Sequence, residues 1–272
     1  MENLKQLSEE FLAAKDLLNK SRQNRRYYDV TVDVGKRNEY YRHISFTEPG
    51  LADSIHSLLE QTHTKTLNYT PHLYLYPWVD LHEDGALKSI YSGKGMEPLE
   101  AIQHDIRLYE NQEKGLITAF QGENLLNCEH VVPQSWFGKK DPMKGDLHHL
   151  FACEPGCNSR RGNFPYYDFL DYQPEAQILA VKDGCGKAEE GKFEPEYGKG
   201  IVARATLYFM SRYPNEIKRD LVHVPLLLEW HGKFPVSVYE KHRNLAIHDL
   251  QGNRNPFIDF PDLAEKINLS FM

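Results

Sequence analysis

The chain has 272 residues, 40% of them apolar, and no run of the roughly 18 consecutive apolar positions that a membrane-spanning helix requires. Its formal net charge of -7 gives no general attraction to a polyanion, so a nucleic-acid partner would have to be gripped by a local patch of Lys and Arg. Four cysteines, Cys128, Cys153, Cys157 and Cys185, are too few to be what makes a fold of this size possible. Their state is open between buried thiols, disulfides and a structural zinc site built on Cys153-x3-Cys157, with zinc not favoured.

The opening MENLKQLSEEF carries acids where an export signal carries a basic flank and an apolar stretch. That points to the cytoplasm, with secretion as the alternative if a signal precedes residue 1. Leu4, Leu7, Phe11, Leu17 and Leu18 recur near the helical period, which predicts an amphipathic helix over 3–20. Residues 1–64 read as a helical extension packed on a body formed by 65–272. From 66 to 93, LNYTPHLYLYPWVDL, the turn residues His82 to Gly85 and ALKSIYSG predict two strands of a hairpin. A helix over 96–110 follows, then a strand from Leu125 to Val132 that Pro133 stops.

After the Lys- and Gly-rich loop 138–145, Asp146 to Ala152 reads as a second strand, and Glu154 to Asn163 starts a helix with Pro155 in its first turn. GIVARATLYFMSRY at 200–213 is apolar on most faces and predicts a central buried helix; Ser237 and Glu240 form a capping box that opens another. The fold class is α+β: a small β-sheet ahead of a mainly helical C-terminal half.

The residues able to do chemistry concentrate at Asn127, Glu129, His130, Asp146, His148, His149, Asn158, Arg160, Arg161 and Asn163. Phosphodiester hydrolysis needs a base that titrates near neutrality, which a histidine supplies, and a hard divalent cation, which oxygen ligands hold. His130 suits the first role, and Glu129 with the amide oxygen of Asn158 suits the second. An all-oxygen pair favours one magnesium ion, ahead of calcium or manganese. Neighbours on a regular strand point to opposite faces, so Glu129 and His130 can serve one phosphate only at a strand end or bulge. Two stretches hold the candidate basic patch, 136–165 and 199–219, the latter with Lys199, Arg204, Arg212, Lys218 and Arg219. PYYDF (165–169) and QGNRNPF (251–257) read either as core or as nucleic-acid contacts.

The block NCEHVVPQSWFGKKDPMKGDLHHLFACEPGCNSRRGNFPYYDF resembles the endonuclease I family of nonspecific nucleases: Glu-His then Pro, Asp-x-His then Leu, Asn-x-x-Arg-Gly-Asn. VDLHEDGALKSIYSG upstream and GIVARATLYFMSRYP, LLLEWH and EKHRNLAIHDLQGNRNPFID downstream extend the likeness over about residues 65–265. The resemblance implies a ββα-metal (His-Me finger) core and cleavage of DNA, and of RNA as a further substrate, at the P–O3′ bond to give 5′-phosphate oligonucleotides. It implies His130 as general base, Glu129 and Asn158 as metal ligands, and Asp146, His148 and Asn163 in support. Where the family holds the phosphate with an arginine, the loop here has Lys139, Lys140 and Lys144. The clamp is then expected from these lysines, Arg160, Arg161 or Arg204, with Arg161 placed among the catalytic residues. The rival reading is a zinc-binding interaction module without catalysis, while a metalloprotease lacks its His-Glu-x-x-His motif.

Overall fold

The apolar stripe near the N-terminus carries that segment into a helix longer than expected, α1 (Glu2–Gln23), which buries Ala14, Leu18 and Ser21 on one side. The computed structural model describes residues 2–23, 25–118, 125–172 and 184–267. Its contacts group the chain into two units: Met1–Arg25, Tyr69–His130 and Leu150–Gly198 form the first, and Arg26–Asn68, Val131–His149 and Lys199–Met272 form the second. Residues 1–64 are thus shared between the two units.

In the first unit α1 packs on α5 (Pro98–Glu113) and on a helical segment in two parts, α4 (Pro71–Tyr74) and a π turn over Leu75–Val79. This corrects the first strand expected from LNYTPHLYLYPWVDL. Leu75, Tyr76, Pro77, Trp78 and Val79 are all buried. A run buried on every side carries no period that separates strand from helix, and Pro71 at the first helical position decides the matter locally. Asp105 on α5 takes hydrogen bonds from the Tyr76 hydroxyl (2.7 Å) and from the backbone and side-chain amides of Asn127 (3.1 and 3.0 Å), anchoring the chain that enters the next strand.

Among the described residues, six short strands pair in twos, all in this unit: β1 (Leu87–Lys88) with β2 (Gly95–Met96), β3 (Cys128–His130) with β4 (Leu150–Ala152), and β5 (Gly186–Glu189) with β6 (Lys192–Pro195). The strand expected over 125–132 shrinks to three residues. The one expected over 146–152 begins as a 3-10 turn at Leu147–His149 before β4. Helix α6 (Pro155–Arg161) follows β4 and packs on β3 and β5.

The second unit is helical. α7 (Lys199–Arg212) is buried along its whole length, as its sequence predicts, and packs on α3 (Leu51–Thr62) and α8 (Val224–Lys233). α9 (Val238–Gln251) starts at the reciprocal Ser237–Glu240 capping box. Glu240 also accepts from buried Arg204, so one carboxylate closes a helix end and neutralises a guanidinium. QGNRNPF belongs to this core: Arg254, fully buried, bridges Asp259 at the end of α10 (Pro256–Asp259) and Asp33 on α2 (Val30–Tyr40).

Burial, first of all causes, holds His72, His148, His149, His231 and His248 below the ordinary imidazole value of 6.5, His148 at about 4. In the unfolded chain each would take a proton near 6.5, so below that pH the unfolded state binds more protons and stability falls. The thermal midpoint is expected to drop continuously as pH is lowered from 6.5 towards 4. A flat profile across that window would contradict the burial of these rings as neutral groups.

Candidate active site

β3 and β4 pair antiparallel with Cys128 opposite Ala152, Glu129 opposite Phe151 and His130 opposite Leu150. The β1–β2 turn is tied to the end of β4: Ile90 N–H donates to the Ala152 carbonyl (2.9 Å), and the Ser92 hydroxyl to Glu154 (2.7 Å). α6 begins three residues after β4 with Pro155 and ends at Gly162, whose φ of 57° is readily available only to glycine. The glycine of Asn-x-x-Arg-Gly-Asn is therefore the helix stop. The Cys157–Cys185 disulfide fastens the first turn of α6 to the residue before β5, while Cys128 and Cys153 are free, buried thiols. With two sulfurs joined to each other, a four-thiolate zinc site is not formed.

Glu129 is 3% exposed. Its Oε1 accepts the Tyr91 hydroxyl at 2.6 Å and lies 3.6 Å from Nε of Arg161. Burial pushes this carboxyl up to about 7, against the pull of Arg161, the Tyr91 hydroxyl and the His130 backbone N–H. His130 is the last residue of β3, and its ring packs on Tyr69 with centroids 4.6 Å apart. The Tyr69 hydroxyl also bonds the Cys128 thiol. Cys128 and His130 thus share one side of β3 and Glu129 faces the other, as a regular strand dictates, and β3 ends where the two functions must meet.

Asn158 lies one turn into α6, and its Nδ2 donates to the Cys128 carbonyl at 2.9 Å. That bond fixes which end of the amide is free: among the described residues, none engages its oxygen. The strand and the helix thus bring the Asn158 amide to the residue next to Glu129. A carboxylate and an amide oxygen are the donors a hard cation takes while keeping most of its water, so these residues fit a magnesium-like ion. No cluster of three His, Cys, Asp or Glu able to hold a metal occurs among the described residues.

Arg161 is fully buried, with one guanidinium nitrogen on the Gly162 carbonyl (3.1 Å) and the group 5.0 Å from the Tyr166 ring centre. It supports Glu129 from within and is not placed to grip a phosphate. Arg160 and Asn163 are exposed beside it.

Asp146 and His148 fall in the second unit. Asp146 accepts from the hydroxyls of Tyr208 (2.7 Å) and Tyr213 (2.9 Å), from Gln251 (3.0 Å) and from the His148 backbone N–H (3.1 Å). Burial opposes its charge, but His63, His148, His149 and Gln251 outweigh that and hold the carboxyl well below the usual range. The His148 ring packs on Tyr208. Arg204, expected to bind substrate, is 2% exposed and occupied by Glu240 and the carbonyls of His231 and Phe234; its cost of desolvation is met inside the core. Lys199 and Arg212 are buried too, so of the five cations expected on the surface of 199–219 only Lys218 and Arg219 are exposed. Lys139 and Lys140 are exposed, the latter paired with Glu216 at 3.0 Å.

Tyr91, Tyr166 and Tyr69 were not among the expected site residues. Tyr166 lies in PYYDF and Tyr91 in a hairpin turn, and no spacing links either to Glu129.

Residues 51–262 match the Endonuclease I family model, and the chain belongs to that family. Its relatives are nucleases by name. An extracellular ribonuclease of Bacillus amyloliquefaciens is 34% identical over 161 residues, covering 52% of this chain and 53% of the relative. An extracellular deoxyribonuclease of Aeromonas hydrophila is 29% identical over 194 residues, covering 62% and 76%. A periplasmic deoxyribonuclease of the same organism is 29% identical over 154 residues, covering 49% and 63%. The chain spans about half the length of the Bacillus ribonuclease. Relatives named for the periplasm and the cell exterior overturn the cytoplasmic expectation, and the Cys157–Cys185 disulfide suits an oxidising compartment.

Proposed function

We propose that the protein is a secreted, metal-dependent, nonspecific endonuclease that hydrolyses phosphodiester bonds of DNA and of RNA to 5′-phosphate oligonucleotides. The observation that carries this reading is the junction of β3 and α6, which seats Glu129, Asn158 and His130 within one strand end and one helical turn. Relatives named for each nucleic acid support both substrates.

Glu129 and Asn158 would hold one divalent cation, magnesium first, which stabilises the charge that develops on the phosphate and leaving oxygen. A phosphate lying across the end of β3 meets the carboxylate from one side and the imidazole from the other. His130 takes the proton of the attacking water. Tyr69, packed against the ring at a tilt of 48°, restrains it. With Arg161 buried, the exposed Arg160, on the same helix as Asn158, is a cation of this unit offered to phosphate.

The test is digestion of supercoiled plasmid and of a structured RNA in magnesium, with and without excess EDTA. Both substrates should be cleaved, the chelator should stop cleavage, and the fragments should carry 5′-phosphates. Intact substrates in magnesium, or cleavage that EDTA leaves untouched, would contradict the proposal.

A further inference from the structure

Two phenols and a guanidinium behind Glu129 are engaged in one direction. The Tyr91 hydroxyl donates its only proton to Oε1 of Glu129 at 2.6 Å, so in its 2.9 Å contact with the Tyr166 hydroxyl Tyr91 can only accept. Tyr166 has then spent its proton on Tyr91, and its oxygen accepts from the guanidinium of Arg161. Every donor in the series Arg161, Tyr166, Tyr91 points towards the carboxylate, and Arg161, which heads the series, also stands 3.6 Å from Glu129 Oε1 through its Nε.

The backbone holds each member in place. Tyr91 sits in the β1–β2 turn, its carbonyl accepts Tyr197 N–H (2.8 Å), and its ring meets Phe193 edge-on. Tyr166 is bridged to Phe193 of β6, whose N–H and carbonyl pair with Pro165 and Tyr167. Arg161 ends α6, one turn beyond Asn158. The same helix therefore brings the amide oxygen to the front of the site and the charge to its back.

Resting on the metal-site reading above, we propose that Tyr91 and Tyr166 are positioning residues: with Arg161 they form a one-way donor chain that fixes the Glu129 carboxylate for the cation. Hydrogen bonds in such a chain polarise one another, and the final bond sets the rotamer of the ligand. Tyr91→Phe removes the last donor and keeps the ring and its backbone anchors. Tyr166→Phe breaks the chain one step further back.

The experiment is calorimetric titration of manganese into wild type, Tyr91→Phe, Tyr166→Phe and the double variant, with cleavage rates at saturating cation and thermal melting beside it. The dissociation constant should rise about 10- to 100-fold in Tyr91→Phe, the range typical of lost outer partners of metal ligands. It should rise less in Tyr166→Phe, and the double variant should equal Tyr91→Phe, because a chain cut at its last link gains nothing from a second cut. The rate at saturating cation should change far less than the affinity. Unchanged manganese affinity in Tyr91→Phe, additive effects in the double variant, or a wild type that binds no manganese each overturns the chain. Manganese binding that shows the series without any hydrolysis would remove the nuclease reading and leave the donor chain standing.

Discussion

Replacing His130 with alanine is expected to lower phosphodiester cleavage by about 10² to 10⁴, the usual worth of a general base. The fold should survive. His130 closes a three-residue strand whose ladder is backbone to backbone, and its ring packs on Tyr69. Metal binding should survive as well, because the oxygens of Glu129 and Asn158 are untouched. The check is a single-turnover rate for each protein at saturating magnesium, with manganese titration as a control. Retention of more than roughly a tenth of the wild-type rate, against the loss of at least about 10² expected, would take the base role from His130.

The largest effect on stability is expected at Asp146. Its carboxylate is fully buried and receives two tyrosine hydroxyls, a glutamine amide and a backbone N–H, from α7, the segment that follows it, the end of α9 and the Leu147–His149 turn. Asp146→Ala leaves these donors facing a cavity and removes the charge that His63, His148 and His149 surround. Breaking a buried charged network from one side costs about 3 to 5 kcal/mol. Chemical denaturation should show a loss of that size. A loss under about 1 kcal/mol, the range of an exposed pair, would mean that water replaces the carboxylate without difficulty.

What could be read in the residues beforehand follows from how local each signal is. The helix over 199–212 shows itself because its apolar residues cover most of its faces, and the Ser237–Glu240 cap because its two partners are three residues apart. The order of strand, strand and helix around Glu129 was legible for a similar reason: Glu-His, Asp-x-His and Asn-x-x-Arg-Gly-Asn lie within one stretch of chain. LNYTPHLYLYPWVDL misled because a segment buried on all sides alternates in nothing that polarity reveals. The β5–β6 hairpin went unread because its two-residue turn is Glu190-Gly191, both at positive φ, instead of the stronger Asn-Gly or Asp-Gly.

Charge misled more than hydrophobicity. Arg204 and Arg161 read as surface cations because composition cannot show that Glu240 and Glu129 wait for them across the fold. QGNRNPF, rich in polar side chains, lies in the core because its partners saturate it: Asn253 bonds the Tyr208 hydroxyl (2.6 Å), and the Asn255 backbone bonds Asn244 (2.7 Å). The phenols behind Glu129 come from chain segments 38 and 37 positions away on either side, beyond the reach of any motif.

If Glu129 seats the catalytic cation, plasmid cleavage as a function of magnesium concentration should separate wild type from Glu129→Gln. Glutamine keeps the shape and one oxygen but loses the charge, so the magnesium midpoint should rise by more than about tenfold, the lower bound for loss of an outer partner alone. Equal midpoints in the two proteins would show that the cation, if one is used, binds elsewhere.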